Sequence, residues 1–213
     1  MTFEISHEQR MLVDTVRDFI RNELAPLEDQ IEKDGSLPDE TAKAVFEKSR
    51  ALGLYGMNIP EDHGGGGLSC LDQIMCEEQF GHTTDILIRR AFGNVYEVLL
   101  ACQGAQVERW LTPSVKGERT CALAFTEPGA GSDAAGIKTR AVRKGDKWVL
   151  NGMKHFISDG LWSDFFVVTA VTDPEKKHRG ISVFLVDKDT PGFTVGRDQP
   201  MMGIRGTPHV ELH

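Results

Sequence analysis

The spacing of the apolar residues changes near Gly117, and no other feature of the sequence limits the possible folds as much. Before this point, apolar residues recur every three to four positions, as they do along an amphipathic helix. After it, short runs rich in β-branched and aromatic residues are separated by Gly, Pro and Asp. The sequence therefore predicts an α+β protein. An N-terminal all-α helical domain over residues 1–117 is followed by a small antiparallel β-barrel-like domain over residues 118–213.

Several helix start and stop signals mark the first half. Ser6 followed by Gln9 forms a capping-box pattern, and the apolar stripe that begins there ends at Pro26. A second helix is predicted to begin near Pro38 and to be capped by Gly53. Further helices are predicted over residues 68–80, 85–102 and 105–115.

Strand signals fill the second half. The predicted strands are TCALAFT, KTRAVRK, KWVLNG, DFFVVTAV, ISVFLVD and GFTVGR, and HVELH at the end of the chain has the same pattern. The residues Lys144, Gly145, Asp146 and Lys147 are typical of a hairpin turn between two of these strands.

Charge and cysteine content exclude several classes of protein. The chain has 24 basic and 32 acidic residues, and the formal net charge of -8 repels nucleic acids and anionic membranes. The four cysteines form no CxxC pair, so we interpret them as reduced thiols. The first residues, MTFEISHEQR, lack a basic segment followed by an apolar run, so we expect no secretory signal, and no apolar run approaches the ~20 residues of a membrane-spanning helix. We expect a soluble cytoplasmic protein with no membrane span and no nucleic-acid partner.

The stretch FTEPGAGSD, residues 125–133, has the glycines of a dinucleotide-binding turn. A Rossmann turn must open a helix, whereas this stretch is followed by IKTRAVRKGDKWVL, the pattern of a β-hairpin. We therefore place the stretch at the rim of an antiparallel sheet. From composition alone, Gly129, Gly131 and Ser132 are typical of an ordinary turn.

Two longer motifs resemble those of the acyl-CoA dehydrogenase family. AFTEPGAGSDAAG, residues 124–136, resembles the family signature, and NGMKHFISDG, residues 151–160, resembles its second flavin-contacting segment, in the same order and spacing. QVERWLTPSVKGE, LYGMNIPEDHGGGG and MMGIRGTPHVEL resemble other family segments, so the resemblance covers nearly the whole chain. It implies FAD as cofactor and oxidation of an acyl-CoA thioester to the α,β-enoyl-CoA in lipid metabolism. It also implies electron-transfer flavoprotein as electron acceptor and a homotetramer.

The same resemblance implies which residues contact the cofactor. Thr126 would supply a hydroxyl, and Ser158, where the family often has Thr, would hydrogen-bond flavin N5. Phe156 stands where the family often has Trp, and an aromatic ring there can pack beside the isoalloxazine. Ser132 resembles a residue that touches the CoA portion of the substrate. The complete implied set is Leu123, Ala124, Phe125, Thr126, Glu127, Pro128, Gly129, Ala130, Gly131, Ser132, Phe156, Ile157 and Ser158. The alternative for Thr126 and Ser158 is a purely structural strand hydroxyl.

Family subunits have a third, helical domain, and this chain resembles the first two domains only. Because the family's catalytic Glu comes from the third part, no catalytic residue is assigned here, and Glu127 is interpreted as a structural partner of the loop. We expect the chain to be inactive alone. The competing hypotheses are a non-catalytic flavin-binding or assembly module and an acyl-CoA oxidase.

Three other features receive structural interpretations. The glycines that follow His63 lack the Lys-Ser/Thr of a P-loop, so a flexible connection between helices is predicted. His209 and His213 lie four residues apart in a strand pattern without a third ligand, so no metal site is predicted. Arg205 is expected to bind an anion near the cofactor, to stabilise a turn or to join subunits.

Overall fold

The chain forms two compact units. A computed structural model describes residues 4–93 and 95–213. The first unit holds the residues up to Glu118 and the short segment Gly203–Thr207, and the second holds Arg119–Met202 and Pro208–His213. The predicted domains, 1–117 and 118–213, stay a prediction as independently folding parts. The sequence had not indicated that Gly203–Thr207 belongs with the helices.

Helices build the first unit. The α-helices of the described residues are α1 (His7–Phe19), α2 (Glu28–Asp34), α3 (Asp39–Ala51), α4 (Cys70–Phe80), α5 (Asp85–Phe92) and α6 (Thr112–Val115). The capping box of α1 is confirmed, because Gln9 N donates to Ser6 Oγ at 3.1 Å and Ser6 N donates to Gln9 Oε1 at 2.9 Å. Gly53 follows α3 with a φ of +70°, as a C-terminal glycine cap requires.

Two predicted helix ends differ from the structure. The first helix passes into a π-helical turn over Ile20–Leu24, and Pro26 then lies in a short 3-10 turn that leads into α2. The sequence did not predict α2, whose only buried residue is Ile31. The helix predicted over 85–102 ends at Phe92, because Gly93 has a φ of +84° that an α-helix cannot contain. The chain therefore stays helical through Pro26, where an end had been predicted, whereas Gly93 ends the other helix early.

Aromatic and aliphatic side chains from several helices form the core of the first unit. Phe92 of α5 stacks on Phe80 of α4, with ring centroids 4.1 Å apart, and meets Phe19 edge-on at 6.0 Å. Leu24 and Ile86 of the same unit are fully buried. Each side chain of this kind contributes about 1.5–3 kcal/mol on burial, so the apolar stripes of the helices supply most of this unit's stability. No described helix is both long enough and apolar enough to cross a membrane.

Strands build the second unit. They are β1 (Cys121–Ala124), β2 (Arg140–Lys144), β3 (Lys147–Asn151), β4 (Lys154–Ser158), β5 (Phe165–Val171), β6 (Ile181–Asp187), β7 (Val195–Asp198) and β8 (His209–Leu212). One sheet has the order β1-β5-β2-β3 with β6 paired to β5, and the other has the order β4-β8-β7. The predicted hairpin turn is confirmed, since Lys144 of β2 pairs with Lys147 of β3.

The central strand β5 explains how the larger sheet differs from the prediction. It pairs with β6 in antiparallel register along one edge, and β1 and β2 share its other edge, both in parallel. The two sheets stay open, so the predicted antiparallel β-barrel-like domain is not confirmed. A continuous apolar run such as FFVVTA is typical of a strand buried on both faces, which is the usual setting of parallel pairs.

The two sheets contribute to one hydrophobic cluster. Its buried residues include Ala124 of β1, Ile157 of β4, Phe166 of β5 and Val210 of β8. Because the strands that carry the two family-like motifs both contribute to this cluster, their positions within the unit are fixed by packing.

Candidate functional site

The two segments that the sequence assigns to one site are neighbours in the second unit. The chain leaves β1 at Phe125 and Thr126, and β4 carries the second segment. The backbone N–H of His155 donates to the carbonyl oxygen of Thr126 at 2.8 Å. This bond joins the end of β1 to β4, so the motifs around Thr126 and Ser158 belong to one surface region.

Two aromatic rings and two hydroxyl groups are available on these segments. The side chains of Phe125 and Phe156 are 43% and 46% exposed, which is high for aromatic residues in a folded unit. Thr126 and Ser158 are half-buried. Within the described part of the chain, neither hydroxyl group hydrogen-bonds to another protein group. The region therefore offers apolar faces and free donors, as the edge and face of a flat heteroaromatic ring require.

An irregularity in β4 sets the direction of Phe156. The register with β8 shifts between Lys154 and Ile157, which is a β-bulge, and Phe156 has a φ of +57°. A positive φ is rare for a bulky residue and costs about 1–3 kcal/mol. The bulge leaves Ile157 2% exposed in the core, whereas the ring of Phe156 lies outside it against His155, with ring centroids 4.1 Å apart.

A buried ion pair lies beneath these segments. Lys154 is 3% exposed, and its Nζ donates to Glu127 Oε1 at 2.8 Å, to Phe125 O at 3.0 Å and to Thr169 Oγ1 at 3.1 Å. Burial lowers the pKa of Lys154, and Glu127 only partly opposes this effect. Sequence reasoning missed Lys154, because no local pattern around it indicates that its charge is buried against Glu127.

Glu127 is structural, as the sequence had indicated. The backbone N–H of Thr139 donates to Oε1 at 3.0 Å, and that of Lys138 donates to Oε2 at 2.6 Å. Burial favours the neutral acid, but hydrogen bonds from Lys154, Thr139 and Lys138 outweigh it, and the pKa of Glu127 lies below its ordinary value. The carboxylate therefore stays charged and joins the two ends of the loop that contains the glycines.

The glycine-rich loop begins as a tight turn. Glu127 N donates to Ala130 O at 2.9 Å, and Ala130 N donates to Glu127 O at 3.1 Å. Pro128 and Gly129 form its exposed corner. Neither Gly129 nor Gly131 has a positive φ, and no atom lies within 4 Å of the position that a Cβ would take. No contact among the described residues requires glycine at these two positions.

The remaining predicted contact residues divide by burial. Ala124, Ala130 and Ile157 are buried, so they can offer only main-chain groups to a ligand, whereas Leu123 is half-buried. Ser132 is exposed on the loop. On the two joined segments, Phe125, Thr126, Phe156 and Ser158 are thus exposed or half-buried, whereas the side chains of the three buried residues are directed elsewhere.

The other features singled out in the sequence have structural roles. The loop after His63 is packed against Met57 and Ile59 rather than free, so the predicted flexible connection is wrong. Arg205 Nε lies 3.5 Å from Glu32 Oε1 in an exposed ion pair of the first unit. His209 is a buried residue of β8. The described residues contain no group of three or more His, Cys, Asp or Glu that could hold a metal ion.

Comparison with known proteins identifies both units. Residues 6–118 match the family model of the acyl-CoA dehydrogenase N-terminal domain, and residues 122–213 match the model of the acyl-CoA dehydrogenase middle domain. Together the two matches cover almost the whole chain.

Curated relatives and a solved structure agree with these matches. Cyclohex-1-ene-1-carbonyl-CoA dehydrogenase of Geobacter metallireducens is 39% identical over 98% of this chain and 55% of its own length. A subunit of the caffeyl-CoA reductase-Etf complex of Acetobacterium woodii is 34% identical over 94% of this chain and 53% of its own length. An acyl-CoA dehydrogenase of Bacillus anthracis, solved in complex with FAD, is 30% identical with a TM-score of 0.81, over 98% of this chain and 35% of that one. The chain spans about half the length of the curated relatives it matches.

Proposed function

Because the chain belongs to the acyl-CoA dehydrogenase family, we propose that it is the flavin-contacting part of an FAD-dependent oxidoreductase. The proposed reaction converts an acyl-CoA thioester to its α,β-enoyl-CoA. The proposal includes electron-transfer flavoprotein as electron acceptor and assembly of the whole protein into a homotetramer. A relative from an Etf complex supports the acceptor.

One observation carries this proposal. Thr126 and Ser158 lie on two segments joined by the bond from His155 N to Thr126 O, and neither hydroxyl has a partner among the described residues. The exposed ring of Phe156 lies in β4, between His155 and Ser158 in the sequence. Free donors beside an exposed aromatic ring fit the polar edge and flat face of an isoalloxazine. FAD therefore fits the residues that are present.

Each residue has a defined part in this proposal. The chemistry that bound FAD supplies is acceptance of the hydride that leaves the substrate. Ser158 would donate its hydroxyl hydrogen to flavin N5 and hold the ring in orientation, and Thr126 would donate to the ring edge. Phe156 would exclude water from one side of the ring. Ser132, exposed on the glycine loop, would contact the CoA portion of the substrate.

Glu127 does not take the α-proton in this proposal. Removing that proton requires a carboxylate that is desolvated yet free to face the substrate. Both oxygens of Glu127 already accept hydrogen bonds from Lys154, Thr139 and Lys138. We therefore assign no catalytic base among the described residues, and we assign Glu127 to the structure of the loop.

Flavin binding and flavin reduction test the proposal separately. The purified chain is titrated with FAD and followed by flavin fluorescence, and acyl-CoA is then added without oxygen to the whole protein while the visible absorbance is recorded. Retained flavin that is bleached by acyl-CoA supports the dehydrogenase. Retained flavin that acyl-CoA does not bleach indicates a flavin-binding module, and rapid reoxidation by oxygen indicates an oxidase.

A matched pair of variants tests the site itself. We expect the double variant Thr126→Val with Ser158→Ala to bind FAD at least about tenfold more weakly, because two hydrogen bonds are lost, each contributing about 1 kcal/mol. The control is Thr194→Val, an exposed hydroxyl on another segment of the same unit. Equal FAD affinity in both variants would contradict the site, and failure of the unmodified chain to bind FAD would contradict the cofactor.

A further inference from the structure

The Lys154 ammonium group donates three hydrogen bonds, all of them to groups within the second unit. An ammonium group has three N–H donors. In this structure they have three acceptors: the carboxylate of Glu127, the main-chain oxygen of Phe125 and the hydroxyl of Thr169. Two of these acceptors lie on either side of Thr126 in the sequence. Lys154 therefore holds the main-chain oxygen immediately before Thr126 and the side chain immediately after it.

The partner of Lys154 extends this constraint across the whole loop. Glu127 stands at the start of the glycine-rich segment, and its carboxylate accepts from the amides of Lys138 and Thr139 at the far end. One carboxylate thus closes a loop of about ten residues onto its own base, in the manner of an Ω-loop. Because a Cβ at Gly129 would meet no described residue within 4 Å, the corner of this loop stays uncovered while its two ends are held.

The same lysine belongs to the strand that carries the second segment. Lys154 is the first residue of β4, and the bulge that turns Phe156 outward begins directly after it. The neighbouring residue His155 donates its N–H to Thr126 O at 2.8 Å. One side chain and one main-chain bond from adjacent residues therefore connect β4 to the end of β1.

Stability alone does not account for such an arrangement. A buried ion pair pays the cost of removing both charges from water, and replacement of such a pair by apolar groups of similar volume is often neutral or stabilising. Apolar groups cannot, however, hold a main-chain oxygen and two loop ends at one point. What the ion pair provides beyond stability is geometry.

From these contacts we propose that Lys154 is a positioning residue: its bonds to Phe125 O and to Glu127 align the Thr126 backbone and the glycine-rich loop with Phe156 and Ser158 as one flavin-binding surface. This inference rests on the proposed function for its ligand. In this proposal Lys154 does not contact the flavin and acts only through Phe125 and Glu127.

The test combines a flavin readout with one that needs no flavin. The variants are Lys154→Met, Glu127→Gln with Lys154→Met, and the control Lys188→Met, whose exposed lysine donates to the main-chain oxygen of Leu161 in the same unit. Each is measured for FAD affinity, for the visible circular dichroism of bound flavin, for thermal unfolding and for hydrogen exchange at the amides of Lys138, Thr139 and His155.

We expect Lys154→Met to weaken FAD binding at least tenfold, to change the visible circular dichroism and to speed exchange at the three amides at least tenfold. The double variant removes the unpaired buried carboxylate, so it should recover much of the lost thermal stability but not the FAD affinity or the dichroism. Lys188→Met should match the unmodified chain in every measurement.

The outcomes separate this inference from the function on which it rests. If the double variant binds FAD with unchanged affinity and dichroism, Lys154 has no positioning role and the inference is wrong, while the proposed function stands. Unchanged exchange at Lys138 and Thr139 in Lys154→Met would also overturn it. If the unmodified chain binds no FAD, the proposed function is wrong. The claim that Lys154 aligns a flavin-binding surface is then wrong as well, whatever the exchange rates show.

Discussion

Two glycine-rich loops of this chain have similar compositions but different physical reasons for their glycines. In the loop of residues 64–67, a Cβ at Gly65 would lie 2.1 Å from the carbonyl oxygen of Ile59, and one at Gly66 would lie 2.8 Å from Met57 Cα. In the loop of residues 128–131, a Cβ at Gly129 would meet nothing within 4 Å. Packing demands glycine in the first loop, whereas the second leaves its backbone open to whatever binds there.

The loops also differ in how they are held. The first is bonded along its length, with Gly66 N donating to Gly56 O at 3.2 Å and Gly67 N donating to Ile59 O at 2.9 Å. The second is held at its base by the side chains of Glu127 and Lys154. The exposed corner at Gly129 can present main-chain groups to a ligand, because no described residue packs against its Cβ position. The composition of the two loops is similar, so only their contacts show which loop is packed and which is open.

The largest effect should come from breaking the base of the second loop. We expect Lys154→Met to reduce the free energy of unfolding by about 3–5 kcal/mol, because the Glu127 carboxylate is then buried without its partner charge. Urea unfolding followed by circular dichroism measures this loss. A loss below about 1 kcal/mol, the size of an exposed ion pair, would show that the pair does not hold the loop.

Crowding the first loop should have the next largest effect. We expect Gly65→Ala to cost about 2–3 kcal/mol, because the Cβ would overlap the main chain of Ile59 and force the loop to move. Thermal unfolding measures the cost. The control in the same unit is Gly203→Ala, where a Cβ has nothing within 4 Å and φ is not positive, so little change is expected. Similar melting temperatures for Gly65→Ala and Gly203→Ala would show that packing does not demand glycine in the first loop.

Local signals in the sequence predicted much of this fold. The capping box at Ser6 and Gln9 and the hairpin at Lys144 to Lys147 depend on residues a few positions apart, and both are confirmed. Partners far apart in the chain were harder to predict. The parallel pairing of β1 and β2 with β5 depends on which strand lies beside which, and a strand pattern does not contain that information.

The candidate site shows the same division. The motifs placed Thr126, Phe156 and Ser158 in two segments, and the structure joins those segments by one backbone hydrogen bond. Lys154 was missed because its significance depends on Glu127, 27 residues earlier in the chain. A buried charge can be recognised only when its partner is known. The sequence therefore predicted the exposed residues of the site but not the buried Lys154–Glu127 ion pair beneath them.

Acid should weaken the second loop by a smaller amount. Because hydrogen bonds hold the pKa of Glu127 below its ordinary value of 4.5, its ionised form stabilises the folded state above that pH. This stability is lost as the pH falls below 4.5 through the folded-state pKa. We expect the acid limb of the stability curve to be shallower in Glu127→Gln, which cannot titrate. Identical acid limbs for the two proteins would show that Glu127 is not the group responsible.

The smallest change in stability should come from Gly129→Ala. Its contrast with Gly65→Ala is the most direct comparison of the two loops. Its Cβ meets no protein atom within 4 Å, and its φ is not positive, so the free energy of unfolding should change by less than about 0.5 kcal/mol. The added methyl group would project into the space where we propose that flavin or substrate lies, and FAD affinity should fall about tenfold, the equivalent of ~1.4 kcal/mol. Unfolding by urea and FAD titration of the same preparation measure the two quantities. If neither quantity changes, Gly129 is an ordinary turn residue, because a ligand that lay against its backbone would be displaced by the added methyl group.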